Sequence, residues 1–155
     1  MSWPWTLSLI MFAKVLLAFF LGFLIGIERE YHRSPAGIRT YAAVCMGACV
    51  FALVSTHAQG PAYYKSIADP TRIAAQIVSG IGFLGAGVIF RDGSKTNGLT
   101  TAATIWATAA IGMSVAFDMF FVAMLSTVLI LILLGLNYLP IWKRFKKLSR
   151  KEPTP

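Results

Sequence analysis

Five apolar runs separated by short polar stretches set the plan of the chain. Leu7–Ile27, Tyr41–Thr56, Arg72–Phe90, Leu99–Val115 and Phe120–Leu139 each read as a membrane-crossing helix. The third run differs from the rest. It carries no charge between Arg72 and Arg91, yet it is crowded with Ala74, Ala75, Ser79, Gly80, Gly82, Gly85, Ala86 and Gly87. Glycine weakens a helix by about 1 kcal/mol relative to alanine in water, so a purely lipid-facing helix gains nothing from it. Ala75, Ser79, Gly82 and Ala86 share one helical face, and small residues at such spacing let membrane helices approach closely. This pattern predicts that span three is the central, protein-surrounded helix of the bundle.

Gly80-x-Gly82-x-x-Gly85 also matches the dinucleotide-binding fingerprint. That motif needs a preceding strand and a helix N-terminus aimed at a phosphate, and here the glycines lie inside an apolar run. In span one, Gly22 and Gly26 form a second small pair, and Lys14 is expected to snorkel toward the nearer interface. In span two, Cys45 and Cys49 lie one turn apart and read as small buried hydrophobes. In span four, Thr100, Thr104 and Thr108 recur every four residues and Gly112 extends the row. The hydroxyls are expected to bond to their own helix's carbonyls, and the stripe is expected to face span three, near Gln76 and Ser79. Span five is rich in Leu and Ile with little glycine, as a lipid-facing helix should be. The fold class is therefore an all-α polytopic bundle of about five transmembrane helices.

The densest charged cluster, Glu28–Thr40, joins spans one and two. Glu28 and Glu30 sit at a helix C-terminus and Arg39 at a helix N-terminus, both opposed by the helix dipole. An ion pair between Glu28 and Arg39 across the turn would account for both placements. The two carboxylates also have the oxygen chemistry of magnesium ligands, but Arg29, Arg33 and Arg39 supply compensating charge. Asp69 and Pro70 are suited to the N-cap and first position of span three, with Arg72 pairing with Asp69 or facing water. Arg91–Gly98 reads as a short polar loop.

Composition supports the membrane reading. Hydrophobic residues make up 57% of 155, and the mean hydropathy is +0.69. The net charge of +8 would raise nucleic acid as a partner in a soluble protein. Here eleven of the fourteen Lys and Arg residues fall on the loops at 28–39 and 91–98 and after Tyr138. The positive-inside rule makes that side cytoplasmic, with the N-terminus outside and the C-terminus inside. The chain divides into a transmembrane domain at 1–140 and a basic cytoplasmic tail at 141–155. No nucleophile–base set or metal motif appears, so no catalytic residue, cofactor or metal site is expected.

The stretches Gly26–Glu30, Ala36–Thr40, Asp69–Phe90 and Gly98–Trp106 together resemble the MgtC/SapB family of bacterial inner-membrane proteins. The resemblance covers roughly residues 8–135. It implies a five-span hydrophobic domain in the inner (plasma) membrane. It also implies a role in growth at low magnesium, virulence-associated in some pathogens, and in some members restraint of the proton-translocating ATP synthase. Longer members carry a soluble C-terminal domain, and this chain reads as a short form without it. The expected function is regulatory, exerted on another integral membrane protein such as the ATP synthase or a magnesium transporter. Homo-oligomers are compatible with this. The alternative is a small permease with a polar path lined by Lys14, Glu28, Arg72, Gln76 and the threonine stripe. The candidate functional residues are Glu28, Arg29, Glu30, Arg39, Asp69, Arg72, Gln76, Ser79, Gly82, Thr100 and Thr104.

Overall fold

The computed structural model describes residues 5–57, 71–93 and 95–136. Among these residues five helices form: α1 Trp5–Tyr31, α2 Ile38–His57, α3 Thr71–Val88, α4 Leu99–Ala116 and α5 Phe120–Gly135. Among the described residues α1, α2 and α4 are long and apolar enough to cross a membrane, whereas Arg72–Val88 and Phe120–Gly135 are shorter apolar helices. The expected all-α bundle is present, with one addition. The stretch read as a polar loop is a hairpin of β1 Phe90–Asp92 and β2 Lys95–Asn97, with Arg91 opposite Thr96. Gly98 then starts α4 at φ +85°, and a Cβ there would lie 1.9 Å from the Val88 carbonyl oxygen.

Helix ends follow local chemistry. Beyond α1, Arg33 takes a left-handed conformation, and its N–H and that of Ser34 close back on the carbonyls of Glu30 and Arg29 (both 3.0 Å). Asp118 does the same after α4, with Met119 N–H bonded to the Ser114 carbonyl at 2.9 Å. Both ends are Schellman closures, and Pro35 sits two residues beyond the first, where a helix cannot continue.

The core lies between α1, α2 and α4, and glycine brings their backbones together. A Cβ on Gly22 would lie 2.5 Å from the Tyr41 carbonyl oxygen and 2.7 Å from Cys45 Cβ. One on Gly26 would lie 2.5 Å from Ile38 Cα, and one on Gly112 would lie 2.0 Å from the Cys45 carbonyl oxygen. Cys45 and Cys49 are fully buried there with Ala18, Ala48, Ala52 and Ala109, as small hydrophobes. The small pair in span one thus behaves as expected.

Span three does not. Ala75, Ser79, Gly82 and Ala86 are all exposed, and a Cβ on Gly80, Gly82 or Gly87 would meet nothing within 4 Å. α3 is peripheral. It packs by its opposite face, with Ile77 and Gly85 buried and Gly85 set against Ala102 of α4. The threonine stripe is likewise turned toward α2 rather than α3, because Gly112 rests on Cys45 and Thr104 bonds to Tyr41.

The outer surface of the bundle is apolar. Phe12, Leu16, Phe20, Leu24 and Ile27 form an exposed stripe along α1, and α5 buries only Ala123, Thr127 and Leu134. The lipid-facing reading of span five holds in the main, although Leu131 packs partly against the core.

These contacts predict opposite signs for the same substitution. Gly112→Ala should destabilise the protein by about 1–3 kcal/mol through overpacking. Gly87→Ala should be neutral or stabilising by up to about 1 kcal/mol, since it adds helix propensity in open space. Thermal unfolding in detergent measures both; equal losses at the two positions would contradict the assignment of the core.

Candidate functional site

Polar chemistry concentrates where α1 turns into α2. Glu28 and Arg29 are paired: Arg29 Nη2 donates to Glu28 Oε1 at 2.8 Å and its Nε donates to Oε2. His32, one turn later, places Nδ1 at 3.1 Å from Glu28 Oε1 and donates to the Glu28 carbonyl at 2.8 Å. The expected Glu28–Arg39 pair is therefore not formed. Glu28 is satisfied by its own helix end, and Arg39 is exposed. Glu30 resolves its conflict with the α1 dipole differently. Its Oε2 accepts the Ile38 N–H at 2.9 Å, so the carboxylate sits at the N-terminus of α2, where the dipole favours an anion. A Cβ on Gly37 would lie 2.3 Å from that oxygen.

This turn is tied to α4. Ser34 Oγ lies 3.1 Å from Thr101 Oγ1. Tyr41, fully buried, brings its hydroxyl to Thr104 Oγ1. Thr104 Oγ1 also lies 2.9 Å from the Thr100 carbonyl, and the Tyr41 hydroxyl lies 3.4 Å from the Thr101 carbonyl, so the two hydroxyls and the α4 backbone form one network. Thr108 closes in the same way on the Thr104 carbonyl at 2.7 Å. Thr104 and Thr108 thus bond to their own helix, as expected, and Thr104 also joins two helices. Thr100 is exposed and contributes its carbonyl.

A second polar contact lies toward the other end. Lys14 is buried rather than snorkelling to an interface. Its Nζ donates to the Ala116 carbonyl at 3.1 Å and pairs with Asp118 Oδ2 at 2.9 Å. A cation at the C-terminus of α4 is favoured by the helix dipole. Among the described residues, every buried side-chain nitrogen and oxygen has a hydrogen-bond partner.

The candidates on α3 stand apart. Arg72 and Gln76 are exposed, Ser79 Oγ bonds only to the Ala75 carbonyl at 3.4 Å, and Gly82 is open. Asp69 lies outside the described residues. Beside Gln76, an apolar cleft of about 640 Å3 runs between α2 and α3, lined by Ala43, Gly47, Phe51, Ile77, Gly80 and Leu84. The structure therefore brings together Glu28, Arg29 and Glu30 at the rim, but it does not join Lys14, Arg72, Gln76 and the threonines into one path. Among the described residues no group of three His, Cys, Asp or Glu is placed to hold a metal ion.

Two residues of the polar contacts carry no local sequence signal: Tyr41 is the first residue of an apolar run, and Asp118 falls between two runs. Their partners are 63 and 104 positions away in sequence, beyond any local spacing signal.

Removing the Glu28 charge leaves Arg29 without its carboxylate in a largely buried site. Glu28→Gln should destabilise the protein by about 3 kcal/mol, the low end for breaking a buried pair. The exchange of Glu28→Arg with Arg39→Glu should not restore it. Denaturation midpoints of the single and double variants measure this; recovery in the exchange would show that Glu28 and Arg39 are partners after all.

The family model described as the MgtC family matches residues 15–139. The chain is 49% identical over 118 residues to the protein MgtC of Salmonella typhimurium (strain LT2), an overlap of 76% of this chain and 48% of that protein. It is 46% identical over 114 residues to the protein MgtC of Brucella abortus (strain 2308), covering 74% and 45% of the two chains. It is 45% identical over 135 residues to an uncharacterized protein of Haemophilus influenzae, covering 83% and 56%. The chain spans about half the length of these curated relatives. No solved structure matches it. The match covers the glycine contacts, the Glu28–Arg29 pair, the Tyr41–Thr104 bond and the whole of α3, and on it the chain belongs to the MgtC family.

Proposed function

We propose that this chain is a non-enzymatic regulator in the bacterial inner membrane. It crosses the membrane several times, with its N-terminus outside and C-terminus in the cytoplasm. It acts in adaptation to low magnesium by binding another integral membrane protein, with the ATP synthase or a magnesium transporter as candidates. Membership of the MgtC family supports the MgtC-like role. The observation that carries the interaction is the outward direction of the small-residue face of α3. Ala75, Ser79, Gly82 and Ala86 present an almost flat helix surface away from the bundle, with Phe83 projecting beside it at 83% exposure. Lipid gains nothing from such a surface, whereas a partner helix packs closely on it and collects dispersion contacts along its length. The Lys14–Asp118 contact and the satisfied threonines support a fixed bundle that presents this face rather than a conduit.

Gly82→Leu tests the reading without disturbing the fold, because the position is open. The variant should keep its thermal stability, lose co-purification with its membrane partner, and fail to support growth in low magnesium. Normal growth and unchanged co-purification would remove α3 from the interface.

A further inference from the structure

We infer that the cleft between α2 and α3 is a phospholipid site: it takes one acyl chain, with the anionic headgroup phosphate held at its mouth by Arg39 and Thr40. The cleft volume, about 640 Å3, falls in the range of ligand pockets. Its lining is apolar apart from Gln76, and its floor is kept low by Ala43, Gly47 and Gly80. It opens sideways between two helices, as the path of a lipid tail requires. It is distinct from the outward face of α3 invoked above, which lies on the other side of that helix.

The headgroup assignment rests on charge. Arg39 lies one helical turn before Ala43, and Thr40 one turn before Val44, so both stand at the end of the cleft lined by Ala43 and Leu84. Both are exposed. Arg39 is a cation at a helix N-terminus, where the dipole opposes it, and Glu28 does not compensate it because that carboxylate is committed to Arg29 and His32. Glu30 already takes the Ile38 N–H, so the guanidinium and the Thr40 hydroxyl, not the helix end, are what remains for an anion. A guanidinium suits a phosphate through paired, charge-assisted hydrogen bonds. The exposed cations Arg91 and Lys95 stand on the hairpin that follows α3 at this same end, with Asp92 opposite Lys95. The outward guanidinium of Arg39 and the apolar cleft beside it thus suit one occupant in common.

The experiment is native mass spectrometry of the full chain, delipidated and titrated with phosphatidylglycerol or phosphatidylcholine. The parent should retain phosphatidylglycerol in preference to phosphatidylcholine, and inorganic phosphate should not displace it. Arg39→Gln should weaken phosphatidylglycerol binding about tenfold, the scale of one charge-assisted hydrogen bond, and weaken phosphatidylcholine less, because its choline cation offsets the phosphate charge. Gly47→Leu fills the cleft from a position where an added Cβ meets nothing within 4 Å, and should lower retention of both lipids with no loss of thermal stability. Equal affinity for the two lipids, or a Gly47→Leu variant that binds as the parent does, would overturn the proposal. A change from dimer to monomer on filling the cleft, with lipid binding intact, would assign the cleft to a second copy instead.

Discussion

Everything in this bundle depends on how near α1 and α4 come to the backbone of α2 around Cys45. Gly22 and Gly112 meet that segment from two sides, and neither position has room for a single added carbon. Apolar burial does not drive helices together inside a bilayer, because lipid is as apolar as the protein interior. The attraction comes from dispersion at short range and from hydrogen bonds across the contact. Close approach supplies the first, and the Tyr41 hydroxyl on Thr104 supplies the second. The small side chains of Ala48, Cys49, Ala52 and Ala109 are the consequence: at this separation nothing larger fits.

The same physics explains which parts of the structure were legible beforehand. The five apolar runs and their approximate ends follow from helix period and from Pro and Gly at the turns. The small-residue face of α3 was also legible, because steps of three and four place Ala75, Ser79, Gly82 and Ala86 together. Its direction was not. In water an apolar face turns inward, so pattern implies orientation. In a membrane both sides of a helix are apolar, and the pattern names a packing surface without saying whether its partner belongs to the same chain. α3 was therefore read as central when it is peripheral.

Charges gave a different kind of partial answer. Glu28, Glu30 and Arg39 all sit against their helix dipoles, and the fold compensates the first two. The partners, however, depend on the path of the turn. Glu28 is served within its own helix end, Glu30 crosses to the start of α2, and Arg39 is left facing outward. Lys14 shows the limit most clearly. Nothing near it in sequence suggests that its ammonium reaches the last carbonyl of α4 and Asp118 beyond it. These three residues belong to elements brought together only by the tertiary fold.

The bundle thus has a close-packed unit of α1, α2 and α4, and a peripheral α3 whose two free surfaces are a flat outward face and an apolar cleft. The most direct test of that division is the environment of α3 in the isolated protein. A nitroxide attached at Gly82→Cys, with Cys45 and Cys49 replaced by alanine and the protein reconstituted in nanodiscs, reports it through its mobility and its collisions with dissolved oxygen. Phe121→Cys on α5, at a site 73% exposed, is the lipid-facing reference. The structure predicts that the two labels are similarly mobile and similarly accessible to oxygen. A label at position 82 that is immobile and shielded would return α3 to the centre of the bundle and contradict the fold described.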